Sequence, residues 1–129
     1  MKIKEIVIEG FKSYGERRSL LNFDKQFNAI TGLNGTGKSN ILDAIRFCLG
    51  LTAYTSARVS NLQGLVYKQG HAGIQEASVT IVFDNDIPSM GPEAFKNMTT
   101  ISVTRKILVR NFDFFNLRKK GMNANRNAI

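Results

Sequence analysis

The chain has 129 residues, of which 43% are hydrophobic, so it is about one domain long and can bury a core. Eighteen Lys and Arg residues against ten Asp and Glu residues give a formal net charge of +8. This charge favours polyanionic partners such as nucleic acid, nucleotides or acidic membrane surfaces, and the single cysteine excludes a disulfide framework within one chain.

The first ten residues, MKIKEIVIEG, predict a strand, because apolar residues alternate along them and Gly10 closes the run. Lys4, Glu5 and Glu9 interrupt the apolar run that a signal peptide would need. No stretch approaches the roughly 20 apolar residues of a membrane span. These features predict a soluble intracellular protein.

A second short strand is predicted at Phe27–Ile30, directly before the glycine-rich stretch TGLNGTGKSN at 31–40. From Ser39 the apolar residues recur at helical spacing, and Gly50 is predicted to end the helix. The residues that carry this spacing are Ile41, Leu42, Ile45 and Leu49. Cys48 lies between Phe47 and Leu49 and is predicted to be a small core residue rather than a reactive thiol.

Two later segments predict neighbouring strands. ASVTIVFDN at 77–85 and ISVTRKILVR at 101–110 each place alternate apolar residues on one face. Both prolines lie between them, so residues 84–97 are expected to form a surface loop. Leu62, Leu65 and Val66 indicate a weaker helical turn, in which Gly64 costs about 1 kcal/mol relative to alanine.

The glycine-rich stretch satisfies the pattern G-x-x-x-x-G-K-[ST] with Gly32, Gly37, Lys38 and Ser39. Glycines let backbone N–H groups point at a phosphate, and the following helix adds its positive N-terminal end. The lysine of this pattern reaches the β and γ phosphates, and the serine hydroxyl ligates Mg²⁺. The pattern therefore predicts a triphosphate site, the alternative being an ordinary glycine turn with a surface lysine.

Phosphate loops serve kinases, GTPases, transporters and DNA-processing ATPases, so the surrounding residues must decide between them. IVIEGFKSY at 6–14, the whole of residues 27–51 and ARVSNLQGLVYKQGHAGI at 57–74 resemble the N-terminal ATPase head of SMC (structural maintenance of chromosomes) proteins. Within that family they are most similar to condensin subunits. The resemblance covers residues 1–109 and implies an α/β P-loop NTPase fold, of which residues 1–129 would be the N-terminal half.

The resemblance also implies partners and a setting. In the family, an N-terminal half-head pairs with a C-terminal half-head, and two SMC heads sandwich ATP and Mg²⁺ while coiled coils embrace DNA. A second SMC subunit, non-SMC condensin subunits and sequence-independent DNA are therefore expected, with no membrane. The setting would be chromosome condensation at mitosis in the nucleus.

By position, the resemblance assigns roles to individual residues. Lys12 and Ser13 match residues beside the nucleotide, although a solvated turn is the alternative. Arg58 matches an arginine near the nucleotide and, with Lys38, is the catalytic candidate, a surface arginine being the alternative. Ser39 would ligate the metal, and the nucleotide-binding set is Lys12, Ser13, Gly32, Asn34, Gly35, Thr36, Gly37, Lys38, Ser39 and Asn40.

The C-terminal part departs from the family. Residues 111–121 do not read like the expected hairpin, and Gly64 stands where relatives usually carry an acidic residue. Because no acidic residue here is a credible organiser of the metal and water, we do not expect this chain alone to complete ATP hydrolysis. Two alternatives stay open: a non-catalytic fragment that binds DNA or a partner, and an unrelated kinase or GTPase, although the N-K-x-D motif of GTPases is absent.

Basic residues are concentrated late in the sequence, with phenylalanines among them. Such a cluster can contact DNA phosphates, the alternative being a solvated strand face. The basic residues are Arg105, Lys106, Arg110, Arg118, Lys119, Lys120 and Arg126. The phenylalanines, at 112, 114 and 115, are predicted to be core rather than base-stacking platforms.

Overall fold

The computed structural model describes residues 1–33, 37–51, 66, 75–108 and 112–121, the last range by its backbone alone. The strands are β1 (Lys2–Glu9), β2 (Arg18–Leu20), β3 (Glu76–Asp84), β4 (Met98–Leu108) and β5 (Phe112–Gly121). Within these described ranges, one α-helix, α1, covers Lys38–Cys48, and two short 3₁₀ turns cover Pro88–Met90 and Glu93–Phe95. No helix in the described ranges is long and apolar enough to cross a membrane.

The described strands form one sheet in the order β2-β1-β3-β4-β5, and every neighbouring pair is antiparallel. In the register, Ile6 pairs with Ile81, and Ile81 pairs with Val103. The alternate apolar residues of the three central strands therefore share one face, as the sequence predicts. The predicted strands at 1–10 and 77–85 are thus confirmed as β1 and β3, and the strand predicted at 101–110 is confirmed as β4 up to Leu108, residues 109–110 lying outside the described residues.

Helix α1 packs on that face of the sheet. It buries Ile41, Ala44, Phe47 and Cys48 at helical spacing against Ile6, Ile8, Val79, Ile81 and Ile107. Gly50 follows the helix with φ 69°, a left-handed conformation that favours glycine and confirms the predicted end. The core therefore lies between one helix and one side of the sheet.

Cys48 is a core residue, as predicted. Its side chain is buried, and Sγ lies 3.3 Å from the Val79 carbonyl oxygen and 3.2 Å from the Val103 carbonyl oxygen. Burial raises the pKa of the Cys48 thiol to about 11, so the thiolate that would react is disfavoured at neutral pH.

The strand predicted at Phe27–Ile30 is wrong for the described structure. This segment has no regular secondary structure, and Phe27 and Ile30 are 77% and 42% exposed. Asp24 instead closes a local turn, because its side chain accepts hydrogen bonds from the backbone N–H groups of Gln26 and Phe27. A strand needs a paired neighbour, and no described strand lies beside this segment.

Of the predicted helical turn at Leu62–Val66, only Val66 lies within the described residues, and there the prediction is wrong. Val66 forms an isolated antiparallel bridge with Phe11 and is buried.

The loop between β3 and β4 is confirmed. Asn85 organises it from a fully buried position by donating from Nδ2 to the carbonyl oxygens of Phe95 and Met98, at 3.0 and 2.7 Å.

Candidate phosphate-binding site

The glycine-rich loop ends at the N-terminus of α1, where Gly37 is the N-cap. Gly37 has φ 95° and no side chain to bond the first-turn N–H groups. The first turn also holds no acidic residue. Unpaired N–H groups and the positive end of the helix dipole attract an anion, so this helix end has the chemistry of a phosphate site.

Lys38 is the first residue of α1, and its Nζ donates a hydrogen bond to the carbonyl oxygen of Gly32. The ammonium group therefore reaches back across the loop to its first glycine. Ser39 is exposed on the first helical turn, and Asn40 follows it, half-buried. A cation and a hydroxyl thus stand at the same helix end, the donor set that a phosphate with its Mg²⁺ requires.

A tight turn at Phe11–Tyr14 lies against the end of this loop. Backbone hydrogen bonds join Phe11 and Tyr14 in both directions, at 3.0 and 2.8 Å, and Lys12 between them has φ 49°. The Phe11 ring is buried and lies 5.3 Å from the Phe47 ring, centroid to centroid. The turn is therefore fastened to the body of α1 through its first residue.

The same turn contacts the start of α1 through polar groups. Asn40 donates from Nδ2 to Ser13 Oγ at 2.8 Å, and Tyr14 donates its hydroxyl to the Gly37 carbonyl oxygen at 3.1 Å. Burial raises the pKa of Tyr14, so this hydroxyl keeps the proton that it donates. The turn thus fixes the last residue of the loop.

Two separate features of the structure require a glycine at position 37. Its positive φ strains any side-chain-bearing residue. A Cβ at position 37 would also lie 2.8 Å from Ser13 Oγ and 3.2 Å from the Tyr14 hydroxyl. The second glycine of the motif therefore serves the contact with the turn as well as the approach of a phosphate.

The structure brings together Lys12, Ser13, Gly32, Gly37, Lys38, Ser39 and Asn40 of the predicted site. The Lys12 side chain forms an ion pair with Asp43, with Nζ 2.6 Å from Oδ2. Asn34, Gly35, Thr36 and the catalytic candidate Arg58 lie outside the described residues. Tyr14 and Asp43 were missed, although Tyr14 stands in the FKSY stretch and Asp43 lies one helical turn after Ser39.

One residue of the predicted basic cluster is not on the surface. Arg105 is 9% exposed, donates from Nη1 to the Phe47 carbonyl oxygen at 3.0 Å and lies 4.7 Å from the centre of the Phe47 ring. Its place on β4 between Val103 and Ile107 already puts it on the apolar face. The neighbouring residue Lys106 lies on the opposite face of β4, where its Nζ is 3.2 Å from Glu76 Oε1.

The backbone register also places the remaining described members of the cluster. Residues 111–121 were set apart as atypical, and 112–121 form β5, antiparallel to β4. In β5, Arg118 pairs with Ser102 and Lys120 with Thr100, whereas Lys119 pairs with the buried Ile101. Positions 118 and 120 therefore share the face remote from α1, and position 119 is on the other. Arg110 and Arg126 lie outside the described residues.

The glycine loop ends at a helix N-terminus without a side-chain cap, and its lysine reaches back to the first glycine of the loop. These features define a protein of the α/β P-loop class. Residues 2–129 match the family model described as the RecF/RecN/SMC N terminal domain. The chain belongs to this family.

Curated relatives agree with that assignment. The chain is 59% identical over 109 residues to structural maintenance of chromosomes protein 2 of Schizosaccharomyces pombe, covering 84% of this chain and 9% of that protein. It is 50% identical over 131 residues to the human protein of the same name, covering 100% of this chain and 11% of that protein. The chain therefore spans about a tenth of the length of these relatives.

Solved structures agree as well. A chain from a study of ATP-driven dimerization and DNA-stimulated activation of SMC ATPases matches with a TM-score of 0.76 and 29% identity, covering 95% of this chain and 73% of that one. An SMC head domain of Pyrococcus furiosus, bound to the C-terminal domain of ScpA, matches with a TM-score of 0.77 and 29% identity, covering 95% and 30%. The described sheet and helix are thus those of the N-terminal part of an SMC head.

Proposed function

We propose that this chain is the ATP-binding N-terminal half-head of a condensin-type SMC ATPase, which acts on DNA in chromosome condensation. The observation that carries the proposal is the end of the glycine loop. There, Gly37 opens α1 without a side-chain cap, Lys38 folds across the loop to Gly32, and the Phe11–Tyr14 turn fixes the loop from the side. The names of the relatives and of the matching head structures support the same function.

Within this site, Lys38 and the amide groups around Gly32 and Gly37 would bind the β and γ phosphates. Ser39 would ligate Mg²⁺, which supplies charge neutralisation at the transferred phosphate when it is bound. Asn40, Lys12 and Ser13 would border the nucleotide. Arg58 is proposed as the cation that stabilises charge developing during hydrolysis, and the proposal also assigns Asn34, Gly35 and Thr36 to the loop.

We further propose that a C-terminal half-head covers the apolar side chains that this chain exposes. Phe27, Ile30 and Leu33 lead into the loop, Leu42 lies on the exposed side of α1, and Leu49 directly follows the last residue of α1; all of them are 42% to 79% exposed. Apolar surface of this extent marks an interaction site.

The remaining partners of the proposed assembly follow from the names of the matching structures. One of them concerns ATP-driven dimerization and DNA-stimulated activation, and another is bound to ScpA. For this chain we propose a second SMC subunit, non-SMC condensin subunits and sequence-independent DNA. The assembly would act at chromosomes in the nucleus.

The test is Mg-ATP binding to the 129-residue chain, measured by calorimetry. Lys38→Ala is expected to weaken binding at least tenfold, because it removes the ammonium group that reaches across the loop. Lys96→Ala is the matched control, since Lys96 is an exposed lysine paired with Glu93 in the β3–β4 loop, and it should leave the affinity unchanged. Equal affinity of wild type and Lys38→Ala would refute the assignment of the phosphate loop.

A further inference from the structure

An ion pair lies beside the phosphate site and is not part of the motif. Lys12 Nζ is 2.6 Å from Asp43 Oδ2, and the two side chains are only 17% and 27% exposed. Arg46 Nη1 lies 3.8 Å from the other carboxylate oxygen, Asp43 Oδ1, and its side chain is 54% exposed. The carboxylate therefore stands between two cations, one half-buried and one facing solvent.

The pair lies within one helical turn of the site. Asp43 follows Ser39 by four residues, so the two share a face of α1 at a distance of about 6 Å along the axis. Lys12 is held next to them because its neighbour Ser13 accepts a hydrogen bond from Asn40. Its ammonium is a point charge on a flexible four-carbon stem. A movement of about one turn would take this ammonium from Asp43 to the start of the helix.

We propose that Asp43 is a counter-ion that holds Lys12, and that the nucleotide phosphates compete with its carboxylate for the Lys12 ammonium. The proposal rests on the proposed function of the site. Asp43 acts through Lys12 and is therefore a positioning residue. When Lys12 is released, the Asp43 carboxylate still has a cation beside it, because Arg46 lies near its other oxygen.

The test is a double-mutant cycle on Mg-ATP affinity at fixed salt, with wild type, Asp43→Asn, Lys12→Met and the double variant. Asp43→Asn is expected to tighten binding about fivefold, since the competing carboxylate is gone while the ammonium stays. Lys12→Met is expected to weaken binding about fivefold. In the Lys12→Met background, Asp43→Asn should change the affinity less than about twofold, because no ammonium is left to release.

The cycle separates this role from two simpler ones. If Asp43→Asn tightens binding equally in both backgrounds, the carboxylate acts by its own repulsion of phosphate, and the counter-ion role is overturned. If Asp43→Asn weakens binding, the pair supports the site instead, and the role is again overturned. Glu93→Gln removes the same charge from an exposed pair in the loop at the opposite end of β3 and should leave the affinity unchanged.

Arg46→Gln provides a second variant at an exposed position if Asp43→Asn does not fold. It leaves Asp43 with Lys12 as its cation, so it should weaken Mg-ATP binding more in the wild-type background than in the Lys12→Met background. Equal effects in the two backgrounds would overturn the counter-ion role. Wild-type chain that does not bind Mg-ATP would overturn the proposed function and this inference together, whereas binding with purely additive effects overturns this inference alone.

Discussion

Arg105 joins the sheet to the last turn of α1. A helix ends with carbonyl groups that have no partner within the helix and with a partial negative charge. The Phe47 carbonyl oxygen accepts from the Gly50 N–H at 3.1 Å and also from the Arg105 guanidinium, which brings a positive charge to this helix end and lies over the Phe47 ring. Because the other end of α1 is the candidate phosphate site, this contact helps to fix the helix that positions the site.

Replacing Arg105 by methionine is expected to lower the free energy of unfolding by about 2 kcal/mol, because a charged hydrogen bond in a buried setting is lost. Lys106→Met is the matched control on the same strand. Its ion pair with Glu76 is exposed and should be worth less than about 1 kcal/mol. Urea unfolding of the two variants measures the difference, and equal midpoints would contradict the buried role of Arg105.

Among the elements, β1, β3, β4 and α1 were predictable from sequence because each carries its own periodicity. In β3 and β4, alternate residues such as Val79 and Ile107 are buried, and the two strands pair with each other. Phe27–Ile30 has the same apolar character, but whether such a segment pairs depends on a neighbour that the local sequence does not contain. The Phe11–Val66 bridge joins residues far apart in the chain, and no local sequence pattern predicts it.

The candidate site likewise has a part that could be predicted from the sequence and a part that could not. The phosphate loop was predictable because its residue types and spacing directly encode backbone and charge requirements. The contacts of Tyr14 with Gly37 and of Lys12 with Asp43 depend on how two distant segments pack. Strand alternation alone would have placed Arg105 on the core face, but its charge indicated a surface residue. The carbonyl oxygen of Phe47 that accepts its hydrogen bond is 58 residues away in sequence, so no local pattern indicates this partner.

The register of β5 gives a prediction about DNA. Positions 118 and 120 share the face remote from α1, whereas position 119 pairs with the buried Ile101. Changing Arg118 and Lys120 to glutamine should reduce the salt dependence of duplex DNA binding by about two counterions, because each phosphate contact releases roughly one.

Lys119→Gln should reduce the salt dependence less than the double change does. Titrations of the chain with duplex DNA at several salt concentrations measure the three slopes. Binding that does not depend on salt, or a double change without effect, would show that these positions form only a solvated strand face.

At the scale of the whole molecule, the described part of the chain is a sheet with one helix on one side. The exposed apolar residues around the loop, such as Phe27 and Leu33, lie on surface that this arrangement does not cover. Positioning the phosphates is only part of hydrolysis, since another group must orient the attacking water. The proposed C-terminal half-head would supply both the cover and that group.

We therefore expect the purified chain alone to release essentially no phosphate from ATP. Steady release should appear after a C-terminal half-head and a second head are added, and it should be lost in Lys38→Ala. A colorimetric phosphate assay on each mixture measures the outcome. Steady turnover by the chain alone, abolished by Lys38→Ala, would show a self-sufficient ATPase and contradict the half-head proposal.

The pairing of β1 with β3 also bears on the order of folding. Residues 10–75 lie between these two strands, whereas β3, β4 and β5 follow one another as antiparallel neighbours. Closing a long loop costs more conformational entropy than forming a hairpin, so we expect β3 to β5 to form first and β1 to join later. During synthesis, α1 leaves the ribosome after β1 but before β3 and β4, so the apolar residues that it buries against β3 and β4 have no complete core until those two strands are made.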